Sequence, residues 1–146
     1  MISEKISDKL GIARALSNIA TIYQRLQNDD KSLDYHLKSL RICEELGNKN
    51  GMAICYNNIG VVYSNKKQYD KALEYYSQAL AVQEELGNDV GVANAMGNMG
   101  RIYQLKGNYK RAVQYQKRSL ALREKIGDRE GIAGSLSNIA EIFQNE

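Results

Sequence analysis

Residues 16–20 read LSNIA, and residues 136–140 read LSNIA again. Between them, at the same forty-residue step, lie YNNIG (residues 56–60) and MGNMG (residues 96–100). Aligned without a gap, the chain falls into copies spanning 11–50, 51–90 and 91–130, followed by a partial copy spanning 131–146. Ile2–Ser7 aligns with Ile42–Gly47, so residues 1–10 read as the end of a preceding copy. The outline is that of an excerpt from a longer array, or of an array with unusual ends. Self-similarity at a fixed period of this size implies one supersecondary unit, stacked on copies of itself to bury an apolar face that no single unit can bury.

The unit is a pair of helices. In the second copy, Met52, Cys55, Tyr56, Ile59, Gly60, Val62 and Tyr63 recur at helical spacing and predict a helix A of about Gly51–Lys66. Tyr69, Ala72, Leu73, Tyr76, Ala79, Leu80, Val82 and Leu86 predict a helix B of about Tyr69–Leu86. Gly47, Gly87 and Gly127 follow the B helices and suit a left-handed residue just past a helix end. The chain has no Pro, which fits long helices joined by tight turns. The expected fold class is all-α.

These residues resemble the tetratricopeptide repeat (TPR) family. The second copy carries the pattern as Tyr56, Ile59-Gly60, Tyr63, Ala72, Tyr76 and Ala79. The third carries Met96, Met99-Gly100, Tyr103, Ala112, Gln116 and Ser119, and the first Leu16, Ile19-Ala20, Tyr23, Ser32, His36 and Ser39. The family's Trp is absent, and Glu44, Glu84 and Glu124 stand where its closing Pro would be. Helix B can therefore run on, which turns a repeat of about 34 residues into one of forty. Long repeats of this kind are similar to those of Pins-type adaptors, kinesin light chains and bacterial signalling proteins. The resemblance implies a single α-solenoid array over 1–146, a right-handed superhelix with its A helices lining a concave groove. It also implies a protein–protein interaction module.

Each A helix places an Asn between apolar neighbours: Asn18, Asn58, Asn98 and Asn138. On a helical wheel, Ile12, Leu16, Ile19, Tyr23 and Leu26 form the expected packing side of the first A helix. Arg14, Asn18, Thr21 and Arg25 fall opposite, with Ser17 and Gln24 on a flank. The Asn row thus belongs to a polar stripe that the resemblance puts in the groove. An amide offers a donor and an acceptor, which matches a peptide backbone. The candidate groove residues are Arg14, Asn18, Arg25, Asn58, Val61, Asn65, Asn98, Arg101 and Asn138. The arginines favour an acidic partner. The same Asn row can instead bond to a neighbouring repeat, a purely structural role. In that alternative the chain is a scaffold, self-assembly segment or sensor arm of a larger protein with no groove ligand of its own.

Other chemistry is thin. No phosphate loop, metal cluster or nucleophile–base pair is present, so the reading is a non-enzyme without cofactor or metal. A net charge of +3 gives no dense basic patch for nucleic acid. No apolar run is long enough to cross a membrane, and the expected setting is cytoplasmic. Cys55 aligns with Ala15, Ala95 and Ser135 and reads as a small buried filler. Cys43 aligns with Gln83 and Arg123 and reads as a surface residue, and no disulfide is expected. His36, the sole His, aligns with Tyr76 and Gln116 and reads as a packing or rim residue. The last A helix carries Ile132, Leu136, Ile139, Ile142 and Phe143 with no B helix after it, so an apolar edge should be bare and open to end-to-end self-association.

Overall fold

The computed structural model describes all 146 residues, which form seven helices and no strand. They are α1 (Ile2–Arg25), α2 (Asp29–Glu45), α3 (Lys49–Asn65), α4 (Tyr69–Glu85), α5 (Asp89–Leu105), α6 (Tyr109–Ile126) and α7 (Arg129–Asn145). From α2 onward every helix begins twenty residues after the last. The forty-residue period is therefore two arms of equal length, each a helix of about 17 residues and a three-residue turn.

The turn explains the spacing. Residues 27, 47, 67, 87, 107 and 127 all have positive φ, between 57° and 75°. This left-handed residue ends each helix by turning the following N–H back onto an open carbonyl: Asn28 N–H donates to Tyr23 O at 2.9 Å, and Asn48 N–H to Cys43 O at 2.9 Å. The next residue then starts a new helix. Asn28, Asn48, Asn88, Asn108 and Asp128 each accept a hydrogen bond on the side chain from the N–H three residues on. Capping by Asn48 is why α3 begins at Lys49 rather than at Gly51 as the apolar pattern predicted.

No turn separates residues 1–10 from the copy that follows. Residues 2–10, anticipated as the tail of a preceding copy, are the first turns of α1, which is continuous to Arg25. The position matched to Gly47 is Ser7, which lies within α1.

The chain divides into two compact units, Met1–Tyr75 and Tyr76–Glu146. In unit 1, α2 packs between α1 and α3. Ala13, Leu40, Cys43, Cys55 and Ile59 form its buried cluster, flanked by Leu33, Leu37, Met52 and Tyr63. In unit 2, α6 packs between α5 and α7 around Ala93, Met99, Ile102, Ala112 and Ile142. Small residues set the helix spacing: a Cβ on Gly100 would meet Gln116 Nε2 at 2.9 Å and Ala112 O at 3.2 Å. Tyr23–Tyr35, Tyr63–Tyr75 and Tyr103–Tyr115 stack at 5.4–5.5 Å between ring centroids, one pair in each A–B hairpin.

Two packing expectations change. Cys43 is buried, 3% exposed, not a surface residue. The side of α1 expected to pack is also largely open: Ile12, Ile19 and Leu26 are exposed, and Ile19 keeps 37% of its surface where its counterpart Ile59 keeps none. The cause is a missing neighbour. In α3 that face is covered by α2, the B helix before it, and no helix lies in that place for α1. At α7 the complementary face lacks its own B helix, and Leu136 and Phe143 are 52% and 56% exposed, as the bare apolar edge predicted. Ile142 of the same helix is fully buried, because it faces α6.

Candidate functional site

Three of the nine groove candidates meet at one place. Arg14 and Asn18 on α1 and Asn58 on α3 line a single cavity of about 530 Å³ in unit 1. Leu10, Ala13, Ser17 and Thr21 complete the α1 wall, and Asn50, Gly51, Ile54 and Cys55 the α3 wall. Ser39 and Cys43 of α2 and the cap residue Asn48 close it. Arg14 is the only charged residue in this lining.

The remaining six candidates lie elsewhere. Arg25 and Asn65 are exposed at the last residues of α1 and α3, and Val61 is half-buried one turn before Asn65. Asn98 and Asn138 are half-buried on α5 and α7 of unit 2, and Arg101 is exposed on α5. Arg101 lies close enough to Tyr76 to offset in part the upward push that burial gives that phenol, whose pKa rises to about 12.

The floor of the unit 1 cavity is a connected polar cluster. Ser39 Oγ donates to Ala13 O at 2.8 Å and receives Ser17 Oγ–H at 3.0 Å and the Cys55 thiol at 3.5 Å. The Cys43 thiol hydrogen-bonds with that of Cys55, and burial, reinforced by this neighbour, pushes its pKa up to about 11. The Cys43 thiol is thus protonated at neutral pH and a poor nucleophile, and the two cysteines are not joined in a disulfide. They act as small floor residues and leave the volume above them open.

Residues eighty positions later show what else this frame can hold. Ser119 Oγ donates to Ala93 O at 2.8 Å, repeating the Ser39–Ala13 bond. Where Cys43 lies in unit 1, unit 2 has Arg123. Its guanidinium donates to Asp128 Oδ2 at 2.6 Å, to Asn94 Oδ1 at 2.7 Å and to Ser119 Oγ at 3.2 Å. The N–H of Gly131, and then Arg123, hold the Asp128 carboxyl below its ordinary pKa. Gly51, Gly91 and Gly131 make room for these side chains: a Cβ on Gly51 would sit 2.6 Å from Cys43 Sγ. Gly11, with no B helix before it, has nothing within 4 Å. This recurring Gly, opposite positions 43, 83 and 123, is the signal in the sequence for a buried contact at Cys43.

Other side chains with chemical potential are already engaged in packing. Both ring nitrogens of His36 are buried without a hydrogen-bond partner, and burial lowers its pKa to about 4. A concavity of about 450 Å³ along α6 is lined by Arg111, Gln114, Tyr115, Lys117 and Arg118. Arg111 and Arg118 lie there over the rings of Tyr103 and Tyr115. No group of three or more His, Cys, Asp or Glu side chains is placed to hold a metal ion. No helix is long and apolar enough to cross a membrane.

Comparison with known proteins agrees with the helix-pair geometry. No curated protein matches the chain. Among solved structures, BtubC from P. vanneervenii is similar at 22% identity and a TM-score of 0.82, over 90% of this chain and 55% of that one. Aspartyl phosphate phosphatase F from Bacillus subtilis is similar at 18% identity and a TM-score of 0.88, over 92% of this chain and 35% of that one. The N-terminal domain of stress-induced protein-1 from C. elegans is similar at 21% identity and a TM-score of 0.71, over 89% of this chain and 96% of that one. At these identities the likeness establishes the fold alone, and the chain spans about half or less of the first two. The profile of the tetratricopeptide repeat family matches residues 11–85, 52–125 and 91–145, nearly the whole sequence in overlapping pairs of repeats. The chain belongs to the tetratricopeptide repeat family, an all-α repeat fold typical of protein–protein interaction modules.

Proposed function

We propose that this chain is a non-catalytic interaction module and that unit 1 binds a peptide segment of a partner protein across α1 and α3. The observation that carries this reading is the convergence of Arg14, Asn18 and Asn58 on one cavity. Asn18 and Asn58 come from equivalent positions of successive A helices, so their amides can pair with the backbone of an extended chain at two points. Side-chain identity then matters little at those points. The single positive charge in the lining favours a segment with acidic residues. The N-terminal domain of stress-induced protein-1 shares the fold.

The test is the double variant Asn18→Ala, Asn58→Ala, with partner capture as the readout. Loss of capture of about tenfold or more, with the melting temperature within a few degrees of the parent, is expected. A collapse of the melting temperature with no selective loss of binding would make the Asn row structural. The Arg25, Val61, Asn65, Asn98, Arg101 and Asn138 positions extend the proposal to the other A-helix stripes.

A second reading is favoured by the apolar faces of α1 and α7. Ile12, Ile22, Leu136 and Phe143 are exposed and would be covered by further repeats or by another copy of the chain. In this reading the chain is a scaffold segment, or a sensor arm like the repeat sensor of the STAND protein PH0952 from Pyrococcus horikoshii, whose fold it shares. A concentration series in light scattering separates the two. Mass that rises with concentration and falls back in Phe143→Glu supports self-association, and a constant monomer mass removes it.

A further inference from the structure

The cavity in unit 1 and the filled site in unit 2 share a frame, and three of the positions at which they differ are the guanidinium of unit 2 and the two side chains that hold it. Unit 2 has Asn94, Arg123 and Asp128, and its guanidinium, held between a carboxylate and an amide, occupies the space between α5 and α7. Unit 1 has Arg14, Cys43 and Asn48 at the corresponding places. The long side chain that fills the space is replaced by a short buried thiol, and the carboxylate by a neutral amide. A positive charge now lies on the wall where unit 2 has the neutral Asn94. The set in unit 2 is neutral and complete, whereas the set in unit 1 is one positive charge with nothing in the middle.

The missing piece is therefore an acid on an aliphatic stem. A side chain entering above Cys43 and Cys55 would lay its methylenes on Ala13 and the two thiols, the apolar part of the floor. Its carboxylate would then lie between Arg14 and Asn48, which supply donors and no competing acid. That is the arrangement of Arg123 with its charges reversed and its central residue supplied by another molecule.

We propose that the space above Cys43 is a subsite for a carboxylate of the bound segment, a glutamate side chain, and that residue 43 decides whether the subsite is open. The proposal rests on the peptide-binding reading of unit 1 and adds a chemical preference that the reading does not require. It also implies that the counterpart in unit 2 is closed to a ligand by Arg123.

The test is a titration of isotope-labelled protein by NMR with three probes. They are the capped pentapeptide acetyl-Ala-Ala-Glu-Ala-Ala-amide, its Gln analogue, and acetylated penta-alanine with a free terminal carboxylate. The Glu peptide should bind about tenfold more tightly than the Gln peptide. It should shift the amide signals of Arg14, Asn48 and Gly51 and leave those of Asn94, Arg123 and Asp128 in place. Arg14→Asn, a change at an exposed residue, should erase the Glu preference. The triple variant Arg14→Asn, Cys43→Arg, Asn48→Asp transplants the closed set and should stop Glu binding altogether. If the penta-alanine acid binds as tightly as the Glu peptide, the subsite stands and takes a chain terminus. Equal binding of the Glu and Gln peptides overturns the subsite. The peptide-binding reading then survives if Asn18→Ala, Asn58→Ala weakens both. A Glu preference that is lost in Arg14→Asn but kept in the double Asn variant leaves the subsite standing without the backbone clamp. No signal change with any probe removes both.

Discussion

Units 1 and 2 carry the same helix-pair frame, and their differences fall at pairs of residues eighty positions apart. Ser39 and Ser119 hold Ala13 O and Ala93 O at the same 2.8 Å. Around that shared bond, Cys43 faces a cavity while Arg123 fills one, and His36 lacks partners where Gln116 Nε2 donates to Gly97 O at 3.0 Å. Backbone repetition therefore does not repeat chemistry. A repeat fold can hold one copy closed by its own side chain and leave another open.

The largest expected difference between the units is a pH effect at His36. The ring is fully buried, and burial lowers its pKa from 6.5 to about 4. Between those values the unfolded chain binds a proton that the folded chain does not, so stability rises with pH across the window and falls as pH drops from 6.5 toward 4. The loss approaches, as an upper bound, about 3 kcal/mol at the low end. Above pH 6.5 both states are neutral at this residue and the effect is absent. His36→Gln installs the unit 2 residue and should flatten the difference. Urea midpoints of parent and variant should agree near pH 7.5 and diverge in favour of the variant by pH 4.5. A constant offset across that range would contradict the burial of an unpartnered ring.

Opening unit 2 is next in size. Arg123→Ala should leave a space like the one above Cys43, with Asp128 Oδ2 and Asn94 Oδ1 facing it without the guanidinium. Removing one side of a partly buried charged network costs about 2 kcal/mol. Asp128 should lose part of the influence that holds its carboxyl low, while the Gly131 N–H, the larger cause, remains. Denaturant unfolding checks the first statement and carbon-detected NMR titration of the Asp128 carboxyl the second. A change below about 0.5 kcal/mol would place Arg123 with ordinary surface charges.

Much of this was readable from residues. The forty-residue period, the helix pairs and the apolar last helix follow from spacing, because a stack of equivalent units must repeat its packing positions. The wheel puts Asn18 away from the packing side, and it is exposed. The readings that failed share a cause: a wheel describes one helix and does not count its neighbours. Ile19 looks like Ile59 on a wheel, yet only Ile59 has a B helix before it. Gln83 and Arg123 are polar and point to a surface position for Cys43, but the Gly opposite lets all three lie against the next A helix, and the short thiol is buried there while the longer side chains stay half-buried. The cavity itself was hidden for the same reason, since it is a difference between copies and the alignment averages copies together.

The smallest test concerns the turns. The left-handed residue between the two helices of a repeat is Gln27 in the first copy, Lys67 in the second and Gly107 in the third, with φ of 58°, 57° and 75°. A side chain in this conformation crowds its own backbone, and Gly does not. Gln27→Gly and Lys67→Gly should therefore each stabilise the chain, by about 0.5–1 kcal/mol after the extra flexibility of Gly in the unfolded state is counted. Gly107→Gln should cost a similar amount. The three changes leave the caps Asn28 and Asn108 and the cavity lining untouched, so binding should not move while urea midpoints shift in opposite directions. If Gln27→Gly and Gly107→Gln shift stability in the same direction, left-handed strain is not what separates the two turns.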